Sequence, residues 1–170
     1  HPSPTSLIWR PDRMIATYTA GGVTIVEEKF IALNDAACTI ITSDQPVTLE
    51  FAGQSFFGND SITSTATCEL DTTNNCVHVV EGGTSEAKPR AGVILTGPLM
   101  YDGMSTVISA SEPLANYTQS ETSGQHFYTF TVPCDSNSVS LVWAMDDVYS
   151  QAVANVNALL ADPTGSMAAK

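Results

Sequence analysis

The chain has 170 residues, 43% of them hydrophobic and only 14% charged, enough for one sizeable core and too apolar for wholesale disorder. Its 18 acidic residues stand against 6 basic ones, a formal net charge of -12. That balance argues against a nucleic-acid groove and against anchoring to anionic lipid, both of which need a positive field, and favours neutral or cationic ligands.

The lead-in, HPSPTSLIWRPDR, is broken by prolines, and Trp9 within it is expected to plug a core edge. MIATYTA is a short strand, Gly21-Gly22 a turn, and VTIVEEKFIAL a second strand. After Asn34-Asp35 come AACTIITS and PVTLEFAG. In the latter, Val47, Leu49 and Phe51 point one way while Thr48 and Glu50 point the other. The middle holds Phe56-Phe57, a Ser/Thr-rich strand, the segment ELDTTNN as a hairpin tip, and CVHVVEG. GGTSEAKPR is a loop, and AGVILTG and MSTVISA are strands with PLMYDG as a turn between them. A strand near Tyr117, then HFYTFTVPC and VSLVWA, complete about ten strands.

The period then changes. In DDVYSQAVANVNALLADP, Tyr149, Ala152, Val153, Val156, Leu159 and Leu160 recur at helical spacing, with Asp146 or Asp147 expected to cap the start. No helix separates the early strands, so the fold class is mainly β: an antiparallel two-sheet sandwich with one C-terminal amphipathic helix. The expected division is residues 1–145 as sandwich and 146–170 as linker helix and tail. The helix's apolar face is expected to dock a partner lying beyond Lys170.

No run is long enough to cross a bilayer as a helix, and no basic n-region or signal segment opens the chain, so it is expected to be processed or cut from something larger. Four cysteines allow three pairings, of which Cys68–Cys76, flanking the hairpin tip, is the best local one. Asn59 and Asn116 begin glycosylation sequons. Together with scarce lysine, these features point to a secreted protein.

GGVTIVEEKFIALNDAACTIITSDQPVTLEFAGQSF and FTVPCDSNSVSLVWAMDDVYSQAVANVNALLADP resemble the N-terminal β-sandwich domain, with its linker helix, that precedes an (α/α)6 catalytic domain in glycoside hydrolases and glutaminase-like proteins. The resemblance implies a non-catalytic domain of a larger hydrolase. Such a domain packs against a C-terminal helical catalytic domain of the same polypeptide and shapes one side of its cleft. No catalytic residue of that family falls on a position of this chain.

Glycoside cleavage needs two opposed carboxylates. Glu27-Glu28 are strand neighbours and face opposite ways, and Asp146-Asp147 sit where a helix needs caps. For carbohydrate contact the candidates are Tyr101 and Asp102, expected in a loop, with Phe57 and Trp9; Trp143, in an apolar run, is expected in the core. These residues also admit a stand-alone carbohydrate-binding module. A third reading is a copper-dependent polysaccharide monooxygenase, with the amine and ring of His1 and the ring of either His78 or His126 as the three nitrogen ligands, because imidazole and amine suit copper. There is no HExxH, CxxC, GxSxG or phosphate-binding glycine loop.

Overall fold

The computed structural model describes residues 3–32, 36–54, 62–64, 67–85, 99–122, 125–135 and 137–164. Among the described residues twelve strands precede one helix: β1 (Ser6–Trp9), β2 (Met14–Ala20), β3 (Val23–Ile31), β4 (Ala36–Ser43), β5 (Val47–Gln54), β6 (Ile62–Ser64), β7 (Thr67–Asp71), β8 (Cys76–Ser85), β9 (Leu99–Ala110), β10 (Ala115–Thr122), β11 (Gln125–Cys134), β12 (Ser138–Asp146) and α1 (Tyr149–Ala161). They form two antiparallel sheets. Nine strands run in the order β1-β2-β3-β4-β12-β9-β8-β6, with β7 also on β8, and three run β10-β11-β5. The sandwich with its C-terminal helix is therefore observed.

Local sequence explains the tight turns. Gly21 and Gly22, with φ of 60° and 84°, make the two-residue loop between β2 and β3, a conformation that side chains resist. At the β7–β8 tip, the Asp71 carboxylate accepts from the backbone N–H of Thr73 at 2.8 Å and of Asn74 at 3.1 Å, and Asn75 takes φ of 50°.

Period-two alternation sorts the core into two layers. Ile41, Val77, Val139, Phe130 and Val132 close the space between the sheets. Their strand neighbours Cys76 and Val142, with Cys38 and Val107, face the other way and meet Ala152, Val156 and Leu159 of α1. The helix lies against β12, β9 and β4. Its apolar face is therefore covered by the chain's own sheet: Val156 is 1% and Leu159 4% exposed. Each such side chain contributes about 1.5–3 kcal/mol. The expectation that this face waits for a partner is corrected.

Five further expectations change. GGTSEAKPR is not a loop throughout: its first four residues belong to β8, and 86–90 lie outside the described residues. PLMYDG is not a turn: Leu99 to Met104 belong to β9, where Tyr101 pairs with Gly83 and a shift in register at Glu81/Gly83 absorbs the irregularity. SLIW is a strand, and Trp9 at its end is 73% exposed rather than plugging the core. Asp146 does not cap the helix. Its carboxylate accepts from the N–H of Val148 at 2.9 Å, and Val148 itself occupies the N-cap without a side-chain bond. Finally, all four cysteines are free. Cys68 faces the other sheet and Cys76 faces α1, so the hairpin turns the two sulfurs to opposite sides.

Candidate functional site: a cleft at the open side of the sandwich

The three-stranded sheet makes its closest contacts with β7 and β12 of the larger sheet. Beyond its β5 edge, the inner face of β2, β3 and β4 opens into a cleft of about 640 Å3. The register explains the lining. Tyr18 pairs with Ile25, Glu27 with Ile41, and Thr39 with Leu141, so the even-numbered side chains of β2 and the odd-numbered ones of β3, β4 and β12 stand on one floor. Phe51 of β5 forms part of the facing wall, and Trp143 of β12 closes one side.

The polar centre of the cleft is Glu27. Its Oε2 accepts from the Tyr18 hydroxyl at 3.2 Å and pairs with Lys29 Nζ at 3.0 Å. Burial, reinforced by the Glu27 carboxylate, pushes the Tyr18 phenol up, so it stays protonated and donating. Glu28, one residue on, pairs with Arg13 at 3.1 Å on the other face of β3. Glu50 also lines the cleft, at its exposed rim. The result is a groove with aromatic walls and one charge-paired centre. A paired carboxylate and ammonium offer a fixed acceptor and donor with little net charge, which suits hydroxyl groups.

A second groove, of about 710 Å3, shares Lys29 and Trp143 with the first and continues to Trp9 at the end of β1. Of the residues proposed for carbohydrate contact, Trp9 alone is brought to this region. Tyr101 and Asp102 lie in β9, beside β8, and Phe57 lies outside the described residues. Sequence reading assigned Trp143 to the core and missed Tyr18. The available signal was the alternation of β12, which puts Trp143 on the same side as Leu141 while the buried Val142 and Ala144 face the helix.

No family model matches the chain, and no curated protein matches it. Among solved structures it is similar to a putative kojibiose phosphorylase from human microbiome, at 8% identity and a TM-score of 0.44, over 90% of this chain and 21% of that one. The chain thus spans about a fifth of the length of that protein. A likeness this distant carries no statement about activity.

The two described histidines, His78 and His126, lie in different sheets. His78 lies on the helix side of the nine-stranded sheet, stacked on Tyr149 at 4.1 Å, with its Nε2 at 3.1 Å from Ser105 Oγ and its Nδ1 at 3.6 Å from Glu69. His126 lies in β11 of the other sheet, opposite Glu121, and His1 is outside the described residues. Among the described residues no group of three or more His, Cys, Asp or Glu is placed to hold a metal. The copper arrangement is centred on His1 and so lies outside the described residues. Asn116 is exposed at the start of β10, its Nδ2 donating to Thr131 Oγ1 at 3.0 Å, whereas Asn59 is outside the described residues.

Proposed function

We propose that this chain is a non-catalytic β-sandwich domain of a larger secreted hydrolase, of glycoside hydrolase type, that holds carbohydrate in the inter-sheet cleft. Its partner is a helical catalytic domain of the same polypeptide, against which it packs and whose substrate path it borders. The observation that carries this reading is the placement of Tyr18, Phe51 and Trp143 around the Glu27–Lys29 pair. Sugar C–H faces pack on aromatic rings, and sugar hydroxyls take up such fixed donors and acceptors.

The non-catalytic part rests on Glu27. A general acid or nucleophile must be available to the glycosidic oxygen or carbon, and this carboxylate is already engaged by Lys29 and Tyr18. Docking of a further domain is supported by the end of the larger sheet. There Ile31 is 69% exposed, with Met145 and Val148 also open to solvent, an apolar rim of the kind that a neighbouring domain covers. The docking surface in this reading is that rim and not the face of α1.

Calorimetric titration with neutral oligosaccharides, run beside a reducing-sugar assay, tests the proposal. Binding heat that is lost in Glu27→Gln, with no sugar released, is the expected result. Absence of binding overturns the carbohydrate reading, and hydrolysis abolished by the same substitution overturns the non-catalytic one.

A further inference from the structure

We propose that the two grooves form one binding track, and that its ligand is a linear, uncharged oligosaccharide several rings long, laid across Trp143 and ending on Trp9. This inference rests on the carbohydrate reading of the cleft and specifies its ligand class.

The continuity is geometric. Lys29 and Trp143 line both grooves, so the two abut at these side chains. Trp9 pairs with Met14, Met14 with Lys29, Lys29 with Thr39, and Thr39 with Leu141, which places the track along one row of side chains on one face. From β1 to β12 that row crosses four strand spacings, roughly 19 Å of sheet. One sugar ring does not bridge that distance. Each groove by itself falls within the ~300–1,000 Å3 of ordinary small-molecule sites. Aromatic side chains line both grooves: Tyr18 and Phe51 in the first, Trp143 in both, Trp9 in the second. Repeated platforms suit a repeating ligand.

The charge pattern selects an uncharged one. The described residues include three of the chain's six basic side chains, Arg10, Arg13 and Lys29, and all three line the track. Each has an acid beside it. Arg13 pairs with Asp12 at 2.6 Å and with Glu28 at 3.1 Å, Lys29 pairs with Glu27 at 3.0 Å, and Arg10 acts on Asp12 through its charge. Among the described residues the cations therefore lie along this track, and on its floor Lys29 and Glu27 offset one another. An anionic chain would meet no unpaired guanidinium pair, and a polycation would be drawn to the acidic remainder of the surface.

The chain's two tryptophans both line the track, so intrinsic fluorescence reads it directly. Malto- and cello-oligosaccharides of one to six rings would be titrated into the 170-residue chain and into Trp9→Ala, a substitution at a largely exposed side chain. Affinity is expected to climb with ring number in one of the two series. Trp9→Ala is expected to lose about tenfold on the six-ring member and nothing on the shortest that binds. Trp9→Phe, which keeps a ring, is expected to restore most of the loss. Binding that ignores both ring number and Trp9 overturns the track while leaving the cleft as a sugar site. No binding by any member overturns the carbohydrate reading itself. Tighter binding of oligogalacturonate than of either neutral series overturns the uncharged ligand.

Discussion

The Tyr149 hydroxyl, in the first turn of α1, donates to Oδ2 of Asp71 at 2.5 Å across 78 residues of chain. The same ring stacks on His78, and Asn74 donates to the same carboxylate oxygen at 2.7 Å. The contact fastens the start of the helix to the β7–β8 hairpin. The Tyr149 bond first, and those from Asn74 next, hold the Asp71 carboxyl down to about 2.

A depressed carboxyl contributes stability that is complete above its unfolded value of about 3.9 and is lost as pH falls toward about 2. Tyr149→Phe is expected to cost about 1 kcal/mol at neutral pH, the lower range for a bond to a partly exposed charged group. It should also flatten the acid limb of a plot of Tm against pH. An acid limb identical in wild type and variant would show that the pair does not couple helix docking to protonation.

Val148 occupies the helix N-cap in extended conformation with no side-chain bond, and the first turn carries no acid. Val148→Asp supplies both an acceptor for the free backbone donors and a negative charge at the positive end of the helix. It is expected to stabilise the fold by about 1 kcal/mol, raising Tm by about 2–4 °C in thermal denaturation. An unchanged or lower Tm would mean that exposed Val148 packs on something that the cap cannot replace.

Gly53 of β5 stands opposite Tyr128 of β11, whose ring lies over it. A Cβ at this position would fall inside the tyrosine ring, with no backbone strain to explain the glycine otherwise. Gly53→Ala is expected to destabilise by about 1–3 kcal/mol by displacing that ring. Gly53→Ala combined with Tyr128→Ala should recover part of the loss. Denaturant midpoints of the wild type, the two single variants and the double variant measure it, and an additive double variant would refute the contact as the cause.

The four thiols are buried, and burial pushes Cys38 up to about 12 and raises the other three. The native protein at neutral pH is therefore expected to react slowly or not at all with an aromatic disulfide reagent, and to release four equivalents when unfolded without reductant. Two equivalents would establish one disulfide and restore the local pairing that the hairpin geometry opposes.

Much of the architecture was legible one residue at a time. Alternation in VTLEFAG and VTIVEEKFI marked strands, Gly21-Gly22 marked the turn between β2 and β3, and helical spacing of Ala152, Val156 and Leu159 marked α1, because each signal is written within one turn or one strand. The same patterns were silent about partners. Spacing shows that a helix has a face to bury and does not say that β12 and β9 bury it. A tryptophan in an apolar run looks like core until its neighbours in register are known. Trp9, Lys29 and Trp143 meet only because β1, β3 and β12 share one face of one sheet. Strand order and sheet coverage arise from contacts between distant segments, whose free energy is not local to any of them, so the strands and helix came from the sequence and the cleft from the tertiary structure.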